Sequence, residues 1–273
     1  MDVEKIQLQD VQETLLLPLW GRFFENQKQK PLLIDPKADE IITHMDYDFA
    51  KFIKSVNPLS RAAWIARSIH FDEKIKEHCS RYPYATIINI GCGLDTTFDR
   101  VNNGKATWYE MDFPDVIAIR KKFLTEEKNR VFIGGSALAD EWYKKIAVRK
   151  NVFIFMGGVL YYFNEAEVKG LLIKIGKTFG KADVAFDYCS KKGVEITNKK
   201  VLKKSGVSDQ VRAQWGIDDL HEIETWSSGI KIIENMNLFK QHKRKFPVWK
   251  RLGMNISDRM KIMSLAKIEI MSA

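Results

Sequence analysis

The chain has 273 residues with a formal charge of +9, 45% of them apolar and 29% charged, so it can bury a sizeable core and has the composition of a soluble globular protein. No apolar run approaches the roughly 18 residues of a membrane helix, and residues 1–5 do not open a basic-then-apolar leader, so neither a membrane partner nor secretion is expected. Cys79, Cys92 and Cys189 are far apart and form no CxxC pair or His/Cys cluster, which points to free thiols, a cytoplasmic setting and no metal site.

In chain order, a helical region comes first. Asn57-Pro58 is a helix start signal, and Ala62, Ile65, Ala66 and Ile69 make one apolar stripe behind it. From residue 85 strands and helices alternate. Residues 85–90 read as a buried strand ending in a Gly-Cys-Gly turn, and a short helix follows that stops at Asn102-Asn103-Gly104. Residues 106–111 are a second strand, and Pro114 opens a helix to Phe123, where its missing N–H costs nothing. Residues 130–133 and 151–155 are the next strands. Asn164 with Glu167 is a capping box for a helix to about Phe179, and residues 183–188 form a fifth strand. Beyond lie a basic segment and strands at 230–233 and 268–271.

Strands separated by helices call for a parallel sheet covered on both faces, and right-handed crossovers leave a doubly wound sheet. The fold class is therefore α/β, with seven strands in a mostly parallel Rossmann-like sheet under an N-terminal helical cover. One domain over 1–273 is expected, with the cover at 1–82, the core at 83–190 and an acceptor-side segment at 191–273. The cations of residues 191–204 and 240–251 read as solvated surface, because neither stretch shows the Arg-rich, aromatic-interleaved pattern of a single-strand binder over a long span, although Phe246 and Trp249 punctuate the second.

The turn Gly91-Cys92-Gly93 ends the first strand, where open α/β sheets hold their ligands. A dinucleotide fingerprint needs a third glycine at position 96, and Thr96 stands there. Glu110 and Asp112 end the second strand about 20 residues on, where a carboxylate can accept both hydroxyls of a ribose. The same Asp112 is also placed to cap the helix that Pro114 opens.

Three stretches make the sequence recognisable: Ile65-Ala66-Arg67, the run 87–100 (IINIGCGLDTTFDR) and the run 108–117 (WYEMDFPDVI). They resemble the leucine carboxyl methyltransferase family, which also holds polyketide O-methyltransferases of the tetracenomycin type. The likeness continues through Gly158-Val159-Leu160-Tyr161-Tyr162 and Phe186-Asp187, and more faintly to residues 19–22 and Asp35-Pro36. The resemblance implies an S-adenosylmethionine-dependent methyltransferase. It implies that Arg67 clamps the methionine carboxylate, that Gly91 and Gly93 form the cofactor turn and that Asp112 holds the ribose. Ser136 and Ala137 fall near the adenine, Arg22 aligns with a second basic residue, and Asp95 closes the turn motif and is counted with them. Two positions depart from the family pattern: Gly157 stands where an acidic residue is common, and no carboxylate follows Ser136 before Asp140.

An ionised carboxylate acceptor needs no base, whereas a hydroxyl acceptor profits from one. The candidate bases are Asp187, His70 and Tyr161, with Tyr162 beside them. His70 is three residues beyond Arg67 on the same predicted helix. The leading reading is O-methylation of a carboxylate or hydroxyl on a small molecule or a peptide end. Loss of catalysis, leaving a binding or regulatory module, is the alternative that Gly157 and Ala139 favour. Nucleic-acid methylation is not expected, since its Asn/Asp-Pro-Pro-Tyr/Phe and Pro-Cys motifs are absent. Trp215, His221 and Trp226 are candidates for the acceptor wall.

Overall fold

The computed structural model describes residues 4–5, 10–202 and 212–272. Residues 203–211, which include the end of the first basic stretch and an early part of the expected acceptor-side segment, lie outside the described residues.

Strands β1 (Thr86–Ile90), β2 (Thr107–Asp112), β3 (Arg130–Gly134), β4 (Val152–Met156), β5 (Lys181–Tyr188), β6 (Ile230–Asn237) and β7 (Ser264–Met271) form one seven-stranded sheet. Its order is β3-β2-β1-β4-β5-β7-β6. The first five strands run parallel, and β7 is antiparallel to both of its neighbours. This is the doubly wound, mostly parallel sheet that the alternation of elements called for. The order reverses between β1 and β4, so their carboxyl ends open onto the crevice where such sheets bind ligands.

Every residue of β1 and β4 is buried, which is why both read as unbroken apolar runs rather than alternating ones. The pleat still sorts their side chains. Ile88, Ile90, Ile154 and Met156 join one core cluster, and Ile87, Phe153 and Phe155 join the cluster on the opposite face.

The helices are α1 (Asp10–Asn26), α2 (Pro36–Thr43), α3 (Ala50–Ser55), α4 (Pro58–Arg81), α5 (Thr97–Val101), α6 (Pro114–Phe123), α7 (Glu141–Lys145), α8 (Glu165–Phe179), α9 (Lys191–Ile196) and α10 (Val248–Arg259). On α4, Asn57 Oδ1 accepts the Leu59 N–H at 2.7 Å, and Ala62, Ile65, Ala66 and Ile69 are buried in the cluster with Ile87 and Phe153. Leu16, Leu19 and Trp20 of α1 pack with Ile41 of α2, Trp64 of α4 and Leu94 of the glycine turn, so the N-terminal helices do cover the sheet's ligand end. Among the described residues no helix is long and apolar enough to cross a membrane.

Strands β6 and β7 are longer than their sequence signals. Lys267 and Glu269 interrupt the apolar pattern of β7, and cross-strand pairs accommodate them: Lys267 with Asp183 at 2.9 Å and Lys181 with Glu269 at 2.7 Å. Glu234 on β6 is likewise held by Lys74 of α4.

Helix α8 carries the reciprocal Asn164–Glu167 capping box, at 3.0 and 2.8 Å, and rests on β7 through a glycine. An ideal Cβ on Gly176 would stand 2.7 Å from Ile270 Cγ2 and 3.0 Å from the Met271 carbonyl oxygen, whereas one on Gly170 meets nothing within 4 Å. Alanine at an open helical position is expected to stabilise by about 0.5–1 kcal/mol, so Gly170→Ala raises stability while Gly176→Ala lowers it by about 1–3 kcal/mol. Urea unfolding of both variants checks this pair of opposite signs.

Candidate functional site

The glycine turn is fixed from every side. The Gly91 and Cys92 N–H groups donate to the Met111 carbonyl at 2.8 and 3.0 Å, tying the turn to the end of β2. The Gly93 N–H donates to Asp112 Oδ2 at 2.8 Å, and Asp112 Oδ1 accepts the Phe113 N–H at 2.8 Å. Burial raises the Asp112 carboxyl pKa against the pull of these two donors. Asp112 therefore braces the turn rather than capping α6, whose N-cap is Phe113.

Two buried arginines hold the turn's carbonyls. Arg120 Nη1 donates to Gly93 O at 2.7 Å and Arg22 Nη2 donates to Leu94 O at 3.0 Å. Each is neutralised in place. Glu110 takes Arg120 on Oε1 and Arg130 on Oε2, both at 2.6 Å, so this carboxylate is spent on a buried triad and is not offered to a ligand. Asp35 takes Arg22 at 2.8 Å and Arg100 at 2.9 Å on Oδ2, which also accepts the Thr96 hydroxyl. Arg100 in turn is bidentate to Asp72 at 2.8 and 2.9 Å. Asp95 accepts from Asn89 Nδ2 at 3.0 Å. Burial opposes its charge, yet Arg100 and Arg22 hold its carboxyl below the usual range.

Gly91 (φ +71°) and Gly93 (φ +43°) occupy left-handed backbone that other residues rarely adopt. Close approach closes both positions as well. A Cβ on Gly91 would stand 2.3 Å from Val159 Cγ2, and one on Gly93 2.8 Å from Leu15 Cδ2. The loops after β1 and β4 therefore touch, and α1 lies over the turn.

Beside the turn is a cavity of about 430 Å3. Arg67, Gly91, Gly93, Asp95, Arg22, Tyr161 and Tyr162 all line it, so the structure brings together seven of the residues that the sequence singled out. Ser60, Ala63, Trp64, Arg67, Ser68 and Phe71 form its α4 wall, a row at spacings of three and four on one helix face. Asp112, Ser136 and Ala137 are not part of the cavity wall. Asp112 is the last residue of β2 and Ser136 and Ala137 follow β3, and Asp112 adjoins the cavity through the Gly93 N–H.

Arg67 is already engaged. Its Nη1 donates to Asp187 Oδ2 at 2.8 Å, and Asp187 Oδ1 accepts the Gly158 N–H at 2.6 Å. Burial works against the charge of Arg67, but Asp187 and Tyr161 hold its pKa above the ordinary value. A Cβ on Gly158 would lie 2.8 Å from Arg67 Nη1 and one on Gly157 would lie 3.0 Å from Phe71 Cε2. The missing side chain at 157 is thus room for Phe71 and Arg67, and a carboxylate, that of Asp187, does stand against this loop.

The candidate bases fare differently. Asp187 is fully buried and bonded on both oxygens. Burial raises the Tyr161 phenol well above its ordinary pKa and pushes Tyr162 up to about 12, so both remain protonated at neutral pH. His70 is buried and absent from the cavity wall. Although three residues from Arg67, it packs behind the wall with its ring beside that of His242, 6.5 Å away.

The acceptor end differs from the expected wall. Trp215 is buried in the core against Trp226, and His221 is an exposed residue paired with Glu224 at 2.8 Å. The wall is built instead by Phe155, Ile196, Thr197, Leu238, Phe239 and the inner side of α10. These positions carry no motif. Their only sequence signal is apolar character, which core residues share.

Arg67→Met strands Asp187 without its counter-ion and destabilises by about 3–5 kcal/mol, and adding Asp187→Leu restores part of that loss. Denaturant unfolding of both variants reads it. Burial first, then Lys74 and His242, lowers the His70 pKa from 6.5 to about 3. His70 therefore contributes full stability above pH 6.5 and loses it as pH falls toward 3, by about 1.4 kcal/mol per pH unit. His70→Leu flattens that acid limb, which thermal melts across the range would register.

The model of the leucine carboxyl methyltransferase family matches residues 16–176. The tetracenomycin polyketide synthesis O-methyltransferase TcmP of Streptomyces glaucescens is 25% identical over 257 residues, 92% of this chain and 93% of that protein. The S-adenosyl-L-methionine-dependent methyltransferase dpfgK of Gibberella zeae is 24% identical over 262 residues, 89% of this chain and 88% of that one. Among solved structures, a protein of Streptomyces avermitilis aligns over 95% of this chain and 99% of its own, with a TM-score of 0.61 and 12% identity. The plantazolicin methyltransferase BamL, solved with a triazolic desmethylPZN analog and SAH, aligns over 96% and 98% with a TM-score of 0.52 and 13% identity. These two share the fold.

Proposed function

The chain belongs to the leucine carboxyl methyltransferase family and is an S-adenosylmethionine-dependent methyltransferase, and from that premise we propose that it O-methylates an ionised carboxylate on a small molecule or peptide end. One observation carries the choice of carboxylate over hydroxyl. Among the described residues lining the cavity, the one carboxylate is Asp95, already occupied by Asn89 and flanked by arginines, and no histidine reaches the wall. An acceptor that arrives ionised needs no proton removed.

The residues at the sheet edge suit this cofactor. Gly91 and Gly93 line the cavity without side chains of their own, and Arg67, held by Asp187, brings a guanidinium to the cavity wall. We assign Arg67, Gly91, Gly93 and Asp95 to the methionine end. Asp112, with Ser136 and Ala137 beyond it, is assigned to the nucleoside end at the neighbouring strand tips. Arg22 acts indirectly, by holding the Leu94 carbonyl. When bound, S-adenosylmethionine supplies an electrophilic methyl group.

The chain's own part is orientation and exclusion of water. Asp187 and Tyr161 are positioning residues that fix the Arg67 guanidinium. Phe71, Phe155, Leu238 and Phe239 give the acceptor end apolar walls, and in-line transfer there depends on holding the acceptor oxygen at near-attack distance in a dry site.

The test joins binding to product chemistry. Calorimetry with the demethylated cofactor is expected to show binding that Asp112→Asn weakens by about tenfold or more, a charge-assisted bond being worth about 1.5–3 kcal/mol. Incubation with labelled cofactor and matched carboxylic acids and alcohols is expected to give base-labile methyl esters at a rate nearly flat around neutral pH. Base-stable ethers as the sole products would sink the carboxylate reading.

A further inference from the structure

Helix α10 carries apolar side chains on the side facing away from the protein. Val248, Trp249 and Leu252 are 69–74% exposed, and the strip runs on to Ile256 and Met260, 51% and 41% exposed, which stand at the rim where the helix meets the cavity. At about 100° per residue they fall within one sector of about 120°, and the buried Met254 stands opposite. Scattered exposed leucines are ordinary, but a continuous strip of this size is not.

The surroundings of the strip are predominantly cationic, although Glu73 pairs with Lys245, Glu25 lies near Lys250 and Asp258 is on the helix itself. Residues 235–257 contain Lys240, Lys243, Arg244, Lys245, Lys250 and Arg251 and no Asp or Glu. Lys250 and Arg251 lie beyond the two edges of the apolar sector, toward the buried Met254, and the exposed Arg259 falls inside it. Arg251 is anchored by bonds to the Phe246 and Arg244 carbonyls at 3.0 and 2.9 Å, which fixes cations at the start of the helix. The surface continues onto the neighbouring helices: Lys28 and Arg61 lie near Lys250, and the Arg61 guanidinium sits 4.2 Å from the ring of Phe24, itself partly exposed.

We propose that α10 and the cations around it form a docking face for an anionic lipid bilayer, the helix lying in the headgroup plane with Val248, Trp249 and Leu252 inserted. An outward apolar sector, cations on both flanks and a tryptophan at one end are the features of an interfacial helix, and the charge is complementary to anionic headgroups. The stretch that composition alone presents as solvated surface becomes a binding surface once the helix shows which side each residue takes. Gly253, Ile256, Ser257 and Met260 also line the cavity, so docking sets the cavity mouth against the bilayer. The proposal does not rest on the identity of the acceptor.

The experiment is flotation of the whole protein with vesicles of phosphatidylcholine, with and without phosphatidylglycerol, at low and high salt. The protein is expected to float with the anionic vesicles, to stay behind with the neutral ones, and to be released by salt. Trp249→Ser with Leu252→Ser removes inserted area without touching the core, and weakens binding at least about tenfold. Lys243→Ala with Arg244→Ala weakens it by roughly fivefold per cation. Unchanged calorimetric affinity for the demethylated cofactor shows that the variants are folded. Absence of flotation, equal flotation with neutral vesicles, or flotation undiminished by the apolar double variant overturns the proposal. So does a dimer, seen by sedimentation velocity, that dissolves in that variant and excludes vesicles.

Discussion

The structure depends on one short piece of backbone, residues 91–94, being held in a shape that its own hydrogen bonds cannot enforce. Its N–H groups are satisfied by Met111 and Asp112, but its carbonyls at Gly93 and Leu94 are reached by arginine side chains from two different helices, α6 and α1. Those arginines are tolerable inside the protein because Glu110 and Asp35 stand against them. Removing either carboxylate leaves an unpaired buried charge, so turn, sheet edge and N-terminal cover are coupled through ion pairs whose rupture is far costlier than that of a surface pair. Thr96 belongs to the same arrangement. Where a dinucleotide site has glycine, this chain places a hydroxyl that donates to Asp35 and accepts from Arg100.

What the sequence made legible is what local chemistry decides. Asn57-Pro58, Pro114 and the Asn164–Glu167 pair act within one helical turn, and the helices begin where those signals stand. Parallel strands buried on both faces announce themselves as apolar runs, and β1 and β4 were read within a residue of their bounds. The strands that were underestimated, β6 and β7, carry charges satisfied by residues on other elements: Lys74 serves Glu234 across 160 positions. No window along the chain contains that information.

The same division runs through the site. The glycine turn and Asp112 could be read from spacing and Arg67 from resemblance, because a tight turn after the first strand and a carboxylate at the end of the second stand at a fixed separation in sheets of this kind. The partner of Arg67 could not, since Asp187 lies 120 residues away and its distance was decided by the crossover from β1 to β5. Reading Asp187 as a base required an unengaged carboxylate. The fold instead spends one oxygen on Arg67 and the other on the Gly158 N–H, which turns the expected acid gap at Gly157 into a packing site for Phe71. Helix α10 and residues 238–239 reach the cavity only through the antiparallel return of β6 and β7, beyond the reach of any motif.

Net charge says little until arginine and lysine are separated. Arg22, Arg67, Arg120 and Arg130 are buried, and each is met by a buried carboxylate, Asp35, Asp187 or Glu110. A planar guanidinium with several donors can be satisfied inside in this way, whereas the lysine ammonium is too strongly hydrated to be moved there cheaply. The excess of +9 therefore resides on the outside, largely as lysine, and can act only on what approaches the surface. Inside, charge is paired and serves geometry; outside, cations gather where α10 turns its apolar side outward. Composition reports the sum of these two populations, and the fold is what separates them.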